Sequence, residues 1–329
     1  MSSVDVVVPC YNYGRYLREC VTSVLTQEGV DVRVLIIDDC SPDNTPEIAK
    51  QLCAEDSRVE YRRHQVNRGH IVTYNEGLLE WAKADYCVLL SADDLLTAGA
   101  LNRAAFVMDN HPDVGFVYGG AIRFRDSSAL SSIAATDGER RILPGTDFIR
   151  EVCDVGENLI PTPAVVVRTR IQQTAGGYRP ELPHSGDLEM WLRLATRGAV
   201  GVLDTNQALR RMHGENMCTQ YRGLKDLTEL KNAFDTFFAN DGAALSVSSQ
   251  CRKQAIRSLA QEAFWRASKA FDRDERPLCD EFLLLSRELD PSMTRTIPWG
   301  KLALKRLAGY RIWSIVRSYF RKGASAATS

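Results

Sequence analysis

Two pairs of adjacent carboxylates, Asp38-Asp39 and Asp93-Asp94, each stand directly after an apolar run. Neighbouring carboxylates at a strand end are costly unless something positive sits beside them. A divalent cation carrying a diphosphate would satisfy Asp93-Asp94, because hard cations take oxygen ligands. A solvated turn, or a cap on the helix expected over Thr97–Asn110, accounts for the pair equally simply. Asp38-Asp39 can accept from a base N–H or a ribose hydroxyl, or can be a turn into the Ser41–Thr45 loop. Pro9, Tyr11 and Asn12 follow the first apolar run, and Tyr11 offers either a flat face for a nucleobase or a packed loop side chain. Asp187 opens a helix with apolar spacing at Leu188, Trp191, Leu192 and Leu194. Glu189, two positions on, points to a nearly opposite face, so one pocket can use only one of the two. A carboxylate at that place also suits the helix N-terminus electrostatically. His213 follows a short strand, as a ligand or as a packing residue. There is no GxGxxG and no Walker sequence, which argues against dehydrogenase and NTPase chemistry.

The elements that must position these residues alternate. Strands are expected at Val4–Pro9, Arg33–Ile37, Val59–Arg62 and Tyr86–Leu90. Helices are expected at Arg15–Gln27, Thr45–Ala54 and His70–Ala82. This alternation predicts an α/β fold, a mostly parallel sheet covered by helices. Ligands bind such sheets at the C-terminal strand ends, so Pro9–Asn12, Asp38-Asp39 and Ser91–Asp94 are expected to converge on one crevice. Further on, Val114–Tyr118, Ala164–Val167 and Ala208–His213 read as strands, Asp126–Gly145 as a polar loop and Asp187–Arg197 as a helix. Helical patterns dominate after residue 219.

The 329 residues are 44% hydrophobic and 25% charged, ordinary for a globular chain, and a net charge of −1 gives no general attraction to nucleic acid. The nine cysteines include no CxxC pair and are read as reduced, buried small hydrophobes. No apolar run reaches the length of a membrane span, and the N-terminus has no signal-peptide pattern, so the cytoplasm is the expected location.

Six segments, in order, resemble the family 2 glycosyltransferases of GT-A fold, over about Val4 to His213. They are VVVPCYNYGRYLRECVTSVLTQ at the start, VLIIDDCSPDNT (Val34–Thr45), NRGHIVTYNEGL (Asn67–Leu78), YCVLLSADDLL (Tyr86–Leu96), GDLEMWLRLATRG (Gly186–Gly198) and RRMHGENM (Arg210–Met217). The resemblance implies an inverting transfer from a nucleotide diphosphate sugar, commonly UDP-linked, to a glycan or lipid-linked acceptor with Mg²⁺ or Mn²⁺. It implies that Pro9 and Tyr11 form the base pocket, that Asp39 hydrogen-bonds the base, that Asp93 binds ribose and that Arg68 approaches the nucleotide. Asp94 would hold the metal with His213 as a further ligand or diphosphate contact, and Asp187 would be the general base. Two positions depart from the family pattern: Ser91 replaces the first Asp of an Asp-x-Asp-Asp run, and Gly186 replaces a Glu that often supports the acceptor. Acceptor-binding loops are expected at Asp126–Gly145 and Glu157–Pro163. By the same analogy the product is a bacterial surface polysaccharide.

The expected organisation is a glycosyltransferase domain over 1–218, with a nucleotide-sugar half (1–100) and an acceptor half (101–218), followed by a helical region (219–329). A nucleotidyltransferase would normally show a glycine-rich loop and a lysine after strand one, where this chain has Pro9–Gly14. A catalytically silent binding protein would have no need for Asp39, Asp94 and Asp187 together. From Pro291 onward eight basic residues meet no acidic one. If Arg311–Lys322 is helical, Ile312, Trp313, Ile315, Val316, Tyr319 and Phe320 share one side and the charges the other. Such a helix either packs on the body or lies on an anionic membrane at its inner face. Trp299–Leu307 does not segregate its charges, which favours packing there.

Overall fold

The computed structural model describes residues 1–125, 138–214, 216 and 223–313. In strand β1 (Ser3–Cys10), Val4, Val6 and Val8 face one core and Val7 the other. Strand β2 (Asp31–Asp38) repeats this, with Val32, Val34 and Ile36 on one side and Leu35 and Ile37 on the other. Both faces are covered, so the twofold alternation reads in sequence as one apolar run. β3 (Val59–Arg63) and β4 (Tyr86–Leu89) complete a parallel block in the order β3-β2-β1-β4.

Beyond β4 the sheet is mixed, running through β8 (Val165–Arg168), β6 (Val114–Phe124), β9 (Ala199–Arg211) and β5 (Leu95–Leu96). β7 (Arg140–Leu143) pairs antiparallel with β9, beyond the residues 126–137 that lie outside the description. Helices α1 (Gly14–Leu25), α2 (Thr45–Glu55) and α4 (Ala100–Asn110) cover one face. The other face carries α3 (His70–Asn75), a π-helical turn (Glu76–Trp81), α5 (Gly145–Val155), α6 (Thr169–Ala175) and α7 (Gly186–Ala195).

The same core continues into α8 (Leu224–Ala239), α9 (Ser248–Phe271), α10 (Arg276–Leu289) and α11 (Ile297–Ala308). The helical region is therefore packed into the sheet domain rather than tethered to it. Ser258 of α9 donates to the carbonyl of Asp154 at the end of α5 (2.9 Å), and Ser185 donates to the carbonyl of Glu229 in α8 (2.8 Å).

Three elements differ from the sequence reading. The strand expected at Ala208–His213 is the end of a long β9, whose middle (Asp204, Thr205, Asn206) is too polar to show the pattern. β7 lies inside the stretch read as loop, because its Arg140-Arg141 start is exposed at the sheet edge. The helix expected over His70–Ala82 widens into the π turn at Glu76.

Candidate active site

A cleft of about 1090 Å³ opens across the C-terminal ends of β1, β2 and β4 and is lined by Pro9, Tyr11, Asp39, Asp93, Asp94 and Asp187, among others. Six of the eight residues singled out from sequence thus converge, from segments far apart in the chain. Tyr11 is 48% exposed, its ring available at the cleft.

The two members of the first carboxylate pair separate. Asp38 turns into the fold and accepts from the Ser41 N–H (2.7 Å) and the Tyr61 hydroxyl (3.0 Å). Asp39 turns to the cleft wall, where its Oδ1 accepts from the Arg68 N–H (2.7 Å) and its Oδ2 from the Gly69 N–H (2.8 Å). His64 brings Nδ1 within 2.7 Å of Asp39 Oδ1 and Nε2 within 2.9 Å of Glu76 Oε2. Burial alone would lower the His64 pKa, but its two carboxylate partners outweigh that and raise it. Cys40 and Asn12 both adopt left-handed backbone (φ 62° and 60°), strained conformations that ordinary residues hold where a loop is over-determined.

The Asn-x-Gly repeats of Asn67–Leu78 have physical jobs. Gly69 sits at φ +85° and presents its N–H to Asp39. Gly77 lies against β1, where an added Cβ would come within 2.2 Å of a Val7 methyl. Asn75 grips the backbone of Tyr178 from both sides, accepting its N–H (2.6 Å) and donating to its carbonyl (2.9 Å). That clamp joins the end of α3 to the segment between α6 and α7. Arg68 itself does not line the cleft: its backbone serves Asp39, and its half-exposed guanidinium lies 3.5 Å from Glu76.

Asp93 Oδ2 lies 3.0 Å from His213 Nε2 and accepts from Asn216 (3.2 Å). His213 therefore stands behind Asp93, with its ring stacked on Tyr16. Asp94 accepts the Arg211 backbone N–H through Oδ1 (2.9 Å). Burial, reinforced by the charge of Asp93, pushes the Asp94 carboxyl up to about 8. Arg211, silent in the sequence reading, braces both: its Nε donates to the Asp93 carbonyl (3.0 Å) while its guanidinium packs over Tyr16.

Asp187 lines the same cleft. Asn158 Nδ2 (2.9 Å) and Thr162 Oγ1 (3.0 Å) donate to its Oδ2, and the Leu188 N–H to its Oδ1 (2.9 Å). Burial raises its pKa against the opposing pull of the Thr162 hydrogen bond. Glu189 is fully buried between Arg179 (2.9 Å) and Arg193 (2.8 Å) and does not reach the cleft. The loop 157–163 lines the cleft throughout.

Among the described residues, no group of three or more His, Cys, Asp or Glu side chains could hold a metal by itself. The donor set still fits a cation that keeps water and substrate oxygens as ligands: Asp93 and Asp94 are adjacent, nearly buried carboxylates that both line the cleft.

Residues 5–154 match the family described as Glycosyl transferase family 2. That stretch of the chain therefore resembles a family 2 glycosyltransferase domain, and the fold is of GT-A type. It is 26% identical over 231 residues to the chondroitin synthase of Pasteurella multocida, covering 70% of this chain and 22% of that one. The crystal structure of S. aureus TarS in complex with UDP-GlcNAc aligns with a TM-score of 0.64 at 17% identity, covering 98% of this chain and 92% of that one. The mannosyltransferase PcManGT from Pyrobaculum calidifontis, in complex with GDP-Man and Mn²⁺, aligns with a TM-score of 0.58 at 16% identity, covering 98% and 86%. The chain spans between about a fifth and two thirds of the length of the first curated relatives it matches.

Proposed function

We propose that this chain is a divalent-cation-dependent, inverting glycosyltransferase that moves a sugar from a nucleotide diphosphate, most simply UDP, to an acceptor hydroxyl. One observation carries the reading: Asp187 and Asp94 line one cleft, while the rival carboxylate Glu189 is consumed by two arginines. Asp187 takes the acceptor's proton as its oxygen attacks the anomeric carbon. Asn158 and Thr162 hold the Asp187 carboxylate in place. Asp94, with His213 braced behind Asp93, would hold Mg²⁺ or Mn²⁺, which supplies charge neutralisation for the departing diphosphate. Pro9 and Tyr11 make the base pocket, the remaining acceptor capacity of Asp39 takes a base N–H and Asp93 takes the ribose, while Arg68 acts only through its backbone N–H on Asp39.

Support for the donor class comes from the UDP-GlcNAc and GDP-Man bound by the two fold neighbours, and for the cation from the Mn²⁺ of one. The chondroitin synthase likeness favours polysaccharide assembly, which we place in bacterial surface polysaccharide synthesis, on a glycan or lipid-linked acceptor. Among the described residues no helix is long and apolar enough to cross a membrane. Residence in the cytoplasm, peripheral to the inner membrane face, is favoured by α11, which exposes Leu304 and Leu307 beside Lys301 and Arg306.

The test is a thermal-shift screen of UDP- and GDP-sugars with Mn²⁺, followed by nucleotide release with and without glycoside acceptors. A ligand that binds only the folded chain raises its Tm by mass action. The reading fails if no sugar nucleotide shifts the Tm or is turned over.

A further inference from the structure

The cleft does not end at the sheet. Asp226 and Leu230 of α8 and Arg266 of α9 line it together with His184, Ser185, Gly186 and Asp187. These three helical residues lie well beyond the segment that matches the family, 5–154. Their placement is fixed by the chain itself: the Ser185 hydroxyl, two positions before Asp187, ties that segment to α8 through the Glu229 carbonyl at 2.8 Å.

Arg266 donates Nη1 to Asp226 Oδ2 (2.7 Å) and Nε to Glu262 Oε1 (2.8 Å). Its Nη2 has no hydrogen-bond partner among the described residues. Asp226 Oδ1 faces His184 Nε2 at 3.8 Å, too long for a hydrogen bond and short enough to share an inserted hydroxyl. All three side chains are between 20% and 27% exposed and line the cleft. Gly186, between His184 and Asp187, adds no bulk to this end of the cleft.

We propose that Asp226, His184 and Arg266 form a subsite for an uncharged, hydroxyl-bearing sugar ring of the acceptor, presented to Asp187. The proposal deepens the glycosyltransferase reading and rests on it. A sugar diol needs an acceptor and a donor side by side, and Asp226 with the open Nη2 of Arg266 supplies both. The sugar's C–H face needs an apolar wall, and Leu159, Leu182 and Leu230 line the cleft with these groups. Charge decides against an anionic acceptor. Six carboxylates line the cleft against three arginines, Arg123, Arg210 and Arg266, and the positive charge of Arg266 is already shared between Asp226 and Glu262. A carboxylate or phosphate on the ring would meet net negative charge.

Binding is measured by saturation-transfer NMR and competition in the presence of UDP, with methyl glucoside, methyl galactoside, methyl mannoside and methyl glucuronide as probes. At least one neutral glycoside should bind, and the glucuronide should bind at least tenfold more weakly. Asp226→Asn should weaken the neutral glycoside about tenfold while the UDP Kd moves less than twofold. His184→Ala leaves the Arg266 pairing intact and covers the case in which Asp226→Asn unfolds; it should weaken the same glycoside. Unchanged glycoside binding in both variants, equal binding of the glucuronide, or no binding of any probe by the wild-type chain would overturn the subsite. Asp226-dependent glycoside binding without turnover of any sugar nucleotide would instead overturn the transferase reading and leave the subsite standing.

Discussion

His64 Nδ1 lies 2.7 Å from Asp39 Oδ1 while its Nε2 lies 2.9 Å from Glu76 Oε2, so one imidazole joins two carboxylates across the base of the loop between β3 and α3. Ionised carboxylates only accept, so the ring satisfies both only as an imidazolium donating twice. The link runs from β2 to the π turn and holds the loop whose Arg68 and Gly69 N–H groups also bind Asp39.

The sign of the resulting pH effect follows from the direction of the shift. The folded-state pKa of His64 is raised, so its stabilisation is full below the unfolded value and is lost as pH rises through the folded one. Nucleotide affinity should therefore fall on the alkaline side, by roughly tenfold if one charge-assisted hydrogen bond is lost. His64→Phe should bind more weakly throughout and lose that pH dependence. Calorimetric titration of UDP at several pH values checks this, and parallel profiles for the two proteins would refute the role.

The two carboxylates of α7 should behave as different kinds of residue. Asp187→Asn should slow sugar transfer by about 10²-fold or more, the range for a lost general base, with the nucleotide Kd nearly unchanged. Because the Asp187 pKa is raised, transfer should climb with pH as that carboxyl ionises. Glu189→Gln leaves Arg179 and Arg193 short of a buried partner and should cost roughly 3–5 kcal/mol of stability. Chemical denaturation and single-turnover rates on the two variants separate the effects. An Asp187→Asn enzyme with full transfer would remove it from the chemistry.

Asp94 should cost the cation-free protein stability. Its folded pKa of about 8 lies far above an ordinary carboxylate, so native-state stability is lost as pH rises between those values. At neutral pH without added metal, Asp94→Asn should melt higher than the wild type, by a few degrees. Adding Mn²⁺ with UDP should reverse the order, because only the wild-type chain gains the cation, and Asp94→Ala should lose metal-dependent transfer. A Mn²⁺-induced Tm rise of equal size in Asp94→Ala would place the cation elsewhere.

Much of this site was legible because its side chains sit on loops after continuous apolar strands. Pro9, Tyr11, Asp39, Asp93 and Asp94 reach the cleft as the strand-end rule requires, and Asp187 reaches it from the first turn of α7. The twofold test on α7 also pointed the right way, with Asp187 in the cleft and Glu189 in the core. What sequence hid were residues that act on other residues. Nothing near His64 signals that β3 ends beside β2 and sets its ring on Asp39, since that follows from the parallel register Asp38↔Arg63. Arg211 reads as one of two basic residues in a strand, and only the fold places it under both aspartates. Asp226 and Arg266 were out of reach because their helices showed only an amphipathic pattern. That pattern says what a helix buries and says nothing of which cleft its polar edge borders.

The last prediction concerns the C-terminal end. Of the expected Arg311–Lys322 helix, only 311–313 lie within the described residues. There the two apolar side chains part: Ile312 is 58% exposed, whereas Trp313 donates Nε1 to Asp272 (3.2 Å) and packs on the helical core. Upstream, the packing expected for Trp299–Leu307 holds only in part. Leu302 is buried and Trp299 stacks on Phe264, yet Leu304 and Leu307 are 68% and 84% exposed. Lys301, Lys305, Arg306 and Arg311 flank them in sequence, with Arg306 paired to Asp280, a combination suited to the interface of an anionic bilayer. The full chain should sediment with phosphatidylserine vesicles, and release by salt should follow from the basic contribution. Leu304→Gln with Leu307→Gln should reduce sedimentation, and a chain ending at Gly309 should lose whatever share the tail adds. Sedimentation unaffected by the two glutamines but abolished by truncation would move the membrane contact wholly into the tail. Absence of binding to vesicles of any composition would leave α11 as a surface helix with no membrane role.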